Sequence, residues 1–107
     1  QHIQVITKGI DGISWNSINS SKKIIIYRVL QELMINMKKH SSCSVVYITI
    51  AAADNDLEIK YADNGVGFKK EKFKNGLSNV ENRIKSIKGR ITFESVNGLK
   101  VKINLPI

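Results

Sequence analysis

Two stretches rich in β-branched residues decide the fold of this chain: VVYITIAA at Val45–Ala52 and LEIKYA at Leu57–Ala62. Both have the composition that favours strands. The polar residues Asp54-Asn55-Asp56 lie between them, and such residues between two strand-like stretches are typical of an antiparallel hairpin. The middle of the chain therefore predicts two neighbouring strands of one sheet.

The residues before this hairpin predict a strand, a loop and a long helix. Ile3–Thr7 alternates apolar and polar residues, as a half-buried strand does. Residues 8–20 predict a loop with room for one short strand, in which Trp15 is expected to contact the core. A helix is predicted over Ser21–His40, because apolar residues recur there along one helical face. They are Ile26, Leu30, Leu33 and Met37.

The residues after the hairpin predict a loop and a second helix. Residues 63–75 are rich in glycine and lysine and have no periodicity, which is typical of a loop. The helix is expected at about Leu77–Lys88. Ser78 and Glu81 have the spacing of a capping box near its start, and Gly89 suits its C-cap.

A second hairpin is predicted at the end of the chain. Ile91–Val96 and Leu99–Leu105 flank Asn97-Gly98, and Asn-Gly between two alternating stretches is a strong hairpin signal. Hairpin-linked strands with helices between them predict an α+β fold. We expect a two-layer α/β sandwich, with the helices on one face of a mixed, mainly antiparallel sheet, and residues 1–107 as a single domain.

The composition fits one globular domain and limits the class of protein. The chain has 107 residues, of which 42% are hydrophobic and 24% charged. The single cysteine, Cys43, cannot form an internal disulfide, so we expect a cytoplasmic, reducing compartment and a surface or half-buried thiol. No apolar run approaches the roughly 20 residues that a membrane-spanning helix needs.

The net charge of +8 suggests a polyanionic partner. The lysines are spread over every segment, so charge alone does not predict nucleic-acid binding. One dense run lies at Lys69–Lys74. It is either a solvated loop or a surface that faces a polyanionic ligand such as a triphosphate, and the charge does not choose between the two.

Polar residues interrupt one flank of the first helix. Glu32, Asn36 and His40 are each four residues apart, so they share a stripe beside the apolar face. Carboxylate and amide oxygens are hard ligands suited to Mg²⁺ or to a water bound to it. The alternative is a solvated flank with ordinary pairs between successive turns.

A glycine-containing segment, Asp63-Asn64-Gly65-Val66-Gly67-Phe68, directly follows a predicted strand. Two glycines two residues apart allow the backbone to turn tightly and to approach a ligand. A carboxylate at a strand end accepts hydrogen bonds, for example from the exocyclic amine of adenine. Taken alone, the pattern also fits an ordinary turn.

Together, these segments resemble the ATP-binding catalytic domain of sensor histidine kinases. Gln31–Ser41 is similar to their N-box, Asp63–Phe68 to their G1 box, and Asn75–Ile84 to a reduced G2 box with the helix after it. The residues similar to their terminal hairpin are Gly89–Ser95, Gly98 and Leu105-Pro106. The likeness covers nearly the whole chain and is greatest to the group with short ATP lids. It implies the Bergerat-type fold shared with gyrase, heat-shock chaperone and mismatch-repair ATPases.

The resemblance implies a role for each matching residue, with ATP and Mg²⁺ as cofactors. Asn36 would coordinate the Mg²⁺ on the phosphates, and Glu32 would activate the attacking histidine or order a water in the metal shell. Asp63 would read adenine, supported by Gly65 and Gly67. The residues expected at the phosphates are Lys39, His40, Lys74 and the lid backbone at Gly76 and Leu77. The implied reaction is transfer of the γ-phosphoryl group to a histidine nitrogen.

Three features depart from the pattern of the family. Lys74 occupies the first glycine position of the G2 box. Leu99 follows Gly98 where many members have a threonine that supports adenine binding. The lid, at about residues 68–75, is short. These departures motivate one alternative, a degenerate regulatory module that has lost catalysis.

Neither histidine is expected to accept the phosphoryl group, because His2 lies at the chain end and His40 belongs to the N-box. The implied partners are therefore the protein's own phosphoacceptor and dimerisation domain and a cognate response regulator. The domain by itself is expected to be a monomer, without a direct nucleic-acid partner. A further alternative is a stand-alone serine kinase of the anti-sigma type with the same fold.

Overall fold

A computed structural model describes residues 3–40, 43–65, 70–95 and 98–107, and the side chains of residues 39–40 and 70–77 lie outside that description. The described residues form five strands and two α-helices. In chain order these are β1 (Gln4–Lys8), α1 (Ser20–His40), β2 (Val45–Ala53), β3 (Asp56–Asp63), α2 (Lys70–Ser86), β4 (Arg90–Ser95) and β5 (Leu99–Pro106). Between β1 and α1 lie two short 3₁₀ turns, Ile10–Gly12 and Trp15–Ser17, in place of the short strand for which the sequence left room.

The five strands form one mixed sheet in the order β1-β2-β3-β5-β4. β1 pairs with β2 in parallel, because α1 carries the chain back across the sheet between them. The other three pairings are antiparallel. Both predicted hairpins are confirmed: Ala53 pairs with Asp56 at the first turn, and Ser95 pairs with Leu99 at the second. Val96 and Asn97 of the second turn lie outside the described residues.

Both helices pack on one face of the sheet, which confirms the two-layer sandwich. Along β3 every second residue is buried, and β5 shows the same alternation. The buried side chains of the helices face this layer: Ile26, Val29, Leu33 and Met37 of α1, and Val80 and Ile84 of α2. Full burial of each such side chain contributes about 1.5–3 kcal/mol. Leu30, which was placed on the predicted stripe, is only partly buried, because the line of contact runs through Val29 instead.

The start of the second helix was predicted wrongly. α2 begins at Lys70, where the sequence predicted a loop up to residue 75 and a helix from Leu77. Residues 70–74 contain lysine and glutamate, which are good helix formers, so local propensity prevails over the missing apolar period. Ser78 therefore lies inside the helix and does not cap it. Most of the predicted lid is helical.

The end of α2 shows which residue takes the left-handed conformation. Lys88 has φ of 62°. Its N–H donates to the Lys85 carbonyl at 3.0 Å, while the Gly89 N–H donates to the Ile84 carbonyl at 2.9 Å. This is a Schellman motif in which Gly89 occupies the second position beyond the helix. A Cβ on Gly89 would lie 2.8 Å from the Asn104 carbonyl oxygen, so glycine is needed there for close packing against β5.

Two residues outside the helices and strands differ in how well the sequence predicted them. Trp15 packs against the core as expected, and its indole N–H donates to the Ile10 carbonyl at 3.1 Å. Cys43, expected at or near the surface, is only 3% exposed. It belongs to the same core cluster as Met37 and Val46.

Candidate functional site

The segments that carry the predicted site converge at one end of the sandwich. α1 ends at His40, and β2 begins a few residues later at Val45, beside the end of β3, where Val46 pairs with Asp63. His40 and Val45 are five residues apart in the chain, a distance of at most about 18 Å, so the end of α1 lies near the same edge of the sheet. β5 starts there as well, at Leu99.

Asp63 is the best-defined polar group at this end. Its side chain is only 6% exposed. The Tyr61 hydroxyl donates to Oδ2 at 2.7 Å, while the backbone N–H groups of Gly65 and Leu99 donate to Oδ1 at 3.0 and 3.1 Å. Each of these partners is a donor, so the carboxylate acts as an acceptor throughout. Because buried polar groups need partners, these bonds make its burial tolerable.

Gly98 lets β5 approach Asp63 this closely. Its φ of 110° lies in the region that side chains disfavour. A Cβ at this position would collide with the backbone carbonyl oxygen of Asp63 and would lie 3.3 Å from its Oδ1. The sequence marked Gly98 as part of a hairpin turn. The structure shows that it also determines where the Leu99 N–H points.

Asn64 ties the segment after β3 to the start of β2. Its side-chain oxygen accepts hydrogen bonds from the backbone N–H groups of Ser44 and Val45, at 2.9 and 3.0 Å. Its side-chain nitrogen donates to the Ser44 hydroxyl at 3.0 Å. Asn64 was not among the predicted site residues. No local signal could have found it, because the tendency of asparagine to bond nearby backbone does not point to a partner 20 residues away.

Tyr61 was also missed as a site residue. Burial raises the pKa of the Tyr61 hydroxyl well above its usual range. The hydrogen bond to the Asp63 carboxylate and the negative charge of that group raise this pKa further. The hydroxyl therefore remains a donor at every pH of interest. The signal in the sequence was its position two residues before Asp63, which places both side chains on one face of the strand.

The polar flank of α1 differs between its members. Asn36 is 7% exposed and lies on the buried side of the helix with Leu33 and Met37, while Glu32 is half-buried. The alternative to a polar site was a solvated flank, and the burial of the Asn36 amide does not fit that alternative. The side chains of Lys39 and His40 lie outside the description, although both residues are in α1.

The remaining predicted site residues come together only in part. Gly65 lies beside Asp63 through its hydrogen bond, whereas Gly67 lies outside the described residues. Lys74, Gly76 and Leu77 are all within α2, with side chains outside the description.

In the part of the chain that is described, neither helix combines the length and apolar character needed to cross a bilayer.

Comparison with solved structures identifies the class of fold. The histidine kinase domain of the Erythrobacter litoralis EL346 blue-light activated histidine kinase superposes with a TM-score of 0.76 at 16% identity, covering 98% of this chain and 51% of that one. The Acinetobacter baumannii histidine kinase AdeS superposes with a TM-score of 0.67 at 25% identity, covering 77% and 45%. The fold is that of histidine kinase ATPase domains.

The chain belongs to the family of histidine kinase-, DNA gyrase B- and HSP90-like ATPases, whose sequence model matches residues 21–107. It is 31% identical over 96 residues to the sensor histidine kinase ComP of Bacillus subtilis, covering 85% of this chain and 12% of that protein. It is 30% identical over 108 residues to the sensor histidine kinase YxjM of the same organism, covering 99% and 26%. The chain thus spans 12% and 26% of the length of these two relatives.

Proposed function

We propose that this domain lies in the cytoplasm, binds ATP with Mg²⁺ and donates the γ-phosphoryl group to a histidine on a separate dimerisation domain, as part of a two-component signalling protein. Membership of the ATPase family and the similarity to sensor histidine kinases support the class of activity. The observation that carries the proposal is the buried Asp63 carboxylate, held by three donors at the end of β3.

Asp63 is suited to recognising an amino group. An ionised carboxylate only accepts hydrogen bonds, and in a nearly buried site a ligand donor gains more from it than in water. The exocyclic amine of adenine is such a donor. Gly65 contributes by donating its N–H to Oδ1, which orients the carboxylate, and we propose that Gly67 permits the adenine ring to approach.

Glu32 and Asn36 fit a role near Mg²⁺. Mg²⁺ prefers oxygen ligands and is usually held by few protein groups together with phosphates and waters. The Asn36 amide is nearly buried and Glu32 is half-buried one turn earlier, so both offer hard oxygens on one side of α1. We propose that Asn36 contacts the metal and that Glu32 orders a metal-bound water or activates the attacking histidine. The metal would shield the phosphate charge when bound.

The phosphates are proposed to lie near the start of α2. The first N–H groups of a helix have no partner within it, and the helix dipole favours anions there. Lys39, His40 and Lys74 would add positive charge. Gly76 and Leu77 lie several residues into α2, so their N–H groups contact phosphates only if the start of the helix opens. In phosphoryl transfer the protein contributes mainly positioning and charge stabilisation.

The proposed partners follow from the same activity. The acceptor histidine would belong to the protein's own dimerisation domain, and a response regulator would receive the phosphoryl group next. We expect the isolated domain to be a monomer that binds nucleotide without phosphorylating itself. Incubation of the fragment with labelled ATP should leave it unlabelled, and stoichiometric acid-labile labelling would contradict this expectation.

Calorimetric titration with ATP, in the presence and absence of Mg²⁺, tests the proposal. Asp63→Asn should weaken ATP binding by at least about tenfold, because a hydrogen bond to a charged group is lost. Asn36→Ala should remove mainly the difference that Mg²⁺ makes. Asp54→Asn, at the exposed turn between β2 and β3, and Asn82→Ala, on the exposed side of α2, are matched controls that should bind like the wild type.

Each outcome separates the proposal from an alternative. No binding at millimolar ATP by a folded wild-type domain would favour the degenerate regulatory module. Nucleotide binding followed by labelling of a partner serine, with no effect of an added histidine-bearing domain, would favour the anti-sigma type of kinase. Equal binding by Asp63→Asn and Asp54→Asn would show that Asp63 does not read the base.

A further inference from the structure

The surroundings of Tyr61 hold it in one position. It lies in β3, the central strand, where it pairs with Ile48 of β2 on one side and with Val101 of β5 on the other. Tyr61 is 1% exposed and has one of the largest fully buried side chains of the core. Asp63 follows two residues later, so the two side chains share the helix-covered face of the sheet.

The hydrogen bonds of Asp63 leave a specific opening for a ligand. A carboxylate has about four lone-pair sites. Within the described residues, Oδ1 accepts from Gly65 and Leu99, and Oδ2 accepts from the Tyr61 hydroxyl. Those three donors leave room for one more, on Oδ2. The direction of that remaining site depends on where the hydroxyl holds the carboxylate.

We propose that Tyr61 is a positioning residue that sets the base selectivity of the nucleotide site. Its hydroxyl orients Asp63 Oδ2 so that the carboxylate accepts a hydrogen bond from a purine amino group and repels a purine carbonyl in the same place. This inference rests on the proposed nucleotide-binding function and adds a residue and a selectivity to it. Leu99 provides only its backbone N–H to Asp63, so Tyr61 is the side-chain hydroxyl on this carboxylate among the described residues.

A structural explanation competes with this role. A buried tyrosine hydroxyl needs a partner, and Asp63 would satisfy it even in a protein that binds nothing. Both explanations expect Tyr61→Phe to lower the stability of the domain. Only a positioning role expects the substitution to change the preference for one base over another.

The test measures affinities for three nucleotides in excess Mg²⁺: ATP, purine riboside triphosphate, which lacks the exocyclic amine, and inosine triphosphate, which carries a carbonyl in its place. The wild type should prefer them in that order. Tyr61→Phe should weaken ATP binding by about tenfold and leave purine riboside triphosphate nearly unchanged. Tyr47→Phe is the matched control, because it removes the hydroxyl of a half-exposed tyrosine on β2.

The outcomes distinguish the failure of this inference from failure of the proposed function. A folded wild type that binds none of the three nucleotides overturns both. A wild type that binds ATP, with Tyr61→Phe weakening ATP and purine riboside triphosphate equally, overturns the positioning role alone. If Tyr61→Phe does not fold, the wild type still tests the inference, because inosine triphosphate bound as tightly as ATP overturns it.

Discussion

Replacing Gly98 by alanine should destabilise the domain through one close contact. A Cβ at this position would collide with the Asp63 carbonyl oxygen, which is backbone and cannot swing aside as the end of a side chain does. The φ of 110° adds about 1–2 kcal/mol for a residue with a side chain. If β5 shifts to relieve the collision, the hydrogen bond from Leu99 to Asp63 weakens, at a cost of about 1.5–3 kcal/mol. We expect a total loss of about 3 kcal/mol.

Thermal and urea unfolding followed by circular dichroism measure this loss. For a domain of this size, a loss of about 3 kcal/mol lowers the melting temperature by about 12 °C. Gly12→Ala is the matched control, because a Cβ there would have nothing within 4 Å. It should change stability by less than about 0.5 kcal/mol. If the two alanine variants melted together, the close approach of β5 to Asp63 would be refuted.

Three further substitutions test the end of α2 and the open face of the sheet. Lys88→Gly should raise the free energy of unfolding by about 1 kcal/mol, because glycine adopts the left-handed conformation of this exposed position without strain. Lys85→Gly, within the helix, should lower the free energy of unfolding by about the same amount. Urea unfolding measures both changes. The ammonium nitrogens of Lys60 and Lys102 lie 3.4 and 3.6 Å from the Glu58 carboxylate. Partial burial acts to raise the pKa of Glu58, but the two lysines hold that pKa below its ordinary value of 4.5. The stability from these pairs should therefore be complete above pH 4.5 and disappear as the pH falls through the lower folded pKa. Glu58→Gln should lower the free energy of unfolding at pH 7 by no more than about 1 kcal/mol and should match the wild type in acid. A difference between the two proteins that is the same in acid as at pH 7 would contradict the assignment.

The predicted elements match the structure best where the signal is local. Apolar periodicity placed α1 within one residue of its start, and alternation with polar turns placed both hairpins. The start of α2 was misplaced because residues 70–74 have helix-forming composition without an apolar face. A segment of this kind shows no periodicity, so its helical state depends on propensity and on its attachment to the packed remainder of the helix.

The candidate site shows the same division. Asp63, Glu32 and Asn36 were selected from their chemistry and spacing, and the structure gives Asp63 a buried and fully oriented carboxylate. The role of Asn64 was not visible in the sequence, because its partner Ser44 lies 20 residues earlier.

The sequence by itself determined the class of fold, the order of its elements and the residues with suitable chemistry, because strand alternation, helical period and turn composition are properties of neighbouring residues. Only the tertiary structure decided what surrounds those residues. The Leu99 N–H reaches Asp63 across 36 positions of chain, and it does so because Gly98 has no Cβ to hold the strands apart. Burial and contact between distant residues are properties of the packed chain. Only the tertiary structure therefore shows that Tyr61 and Asp63 are both buried beneath the helices and joined by a hydrogen bond.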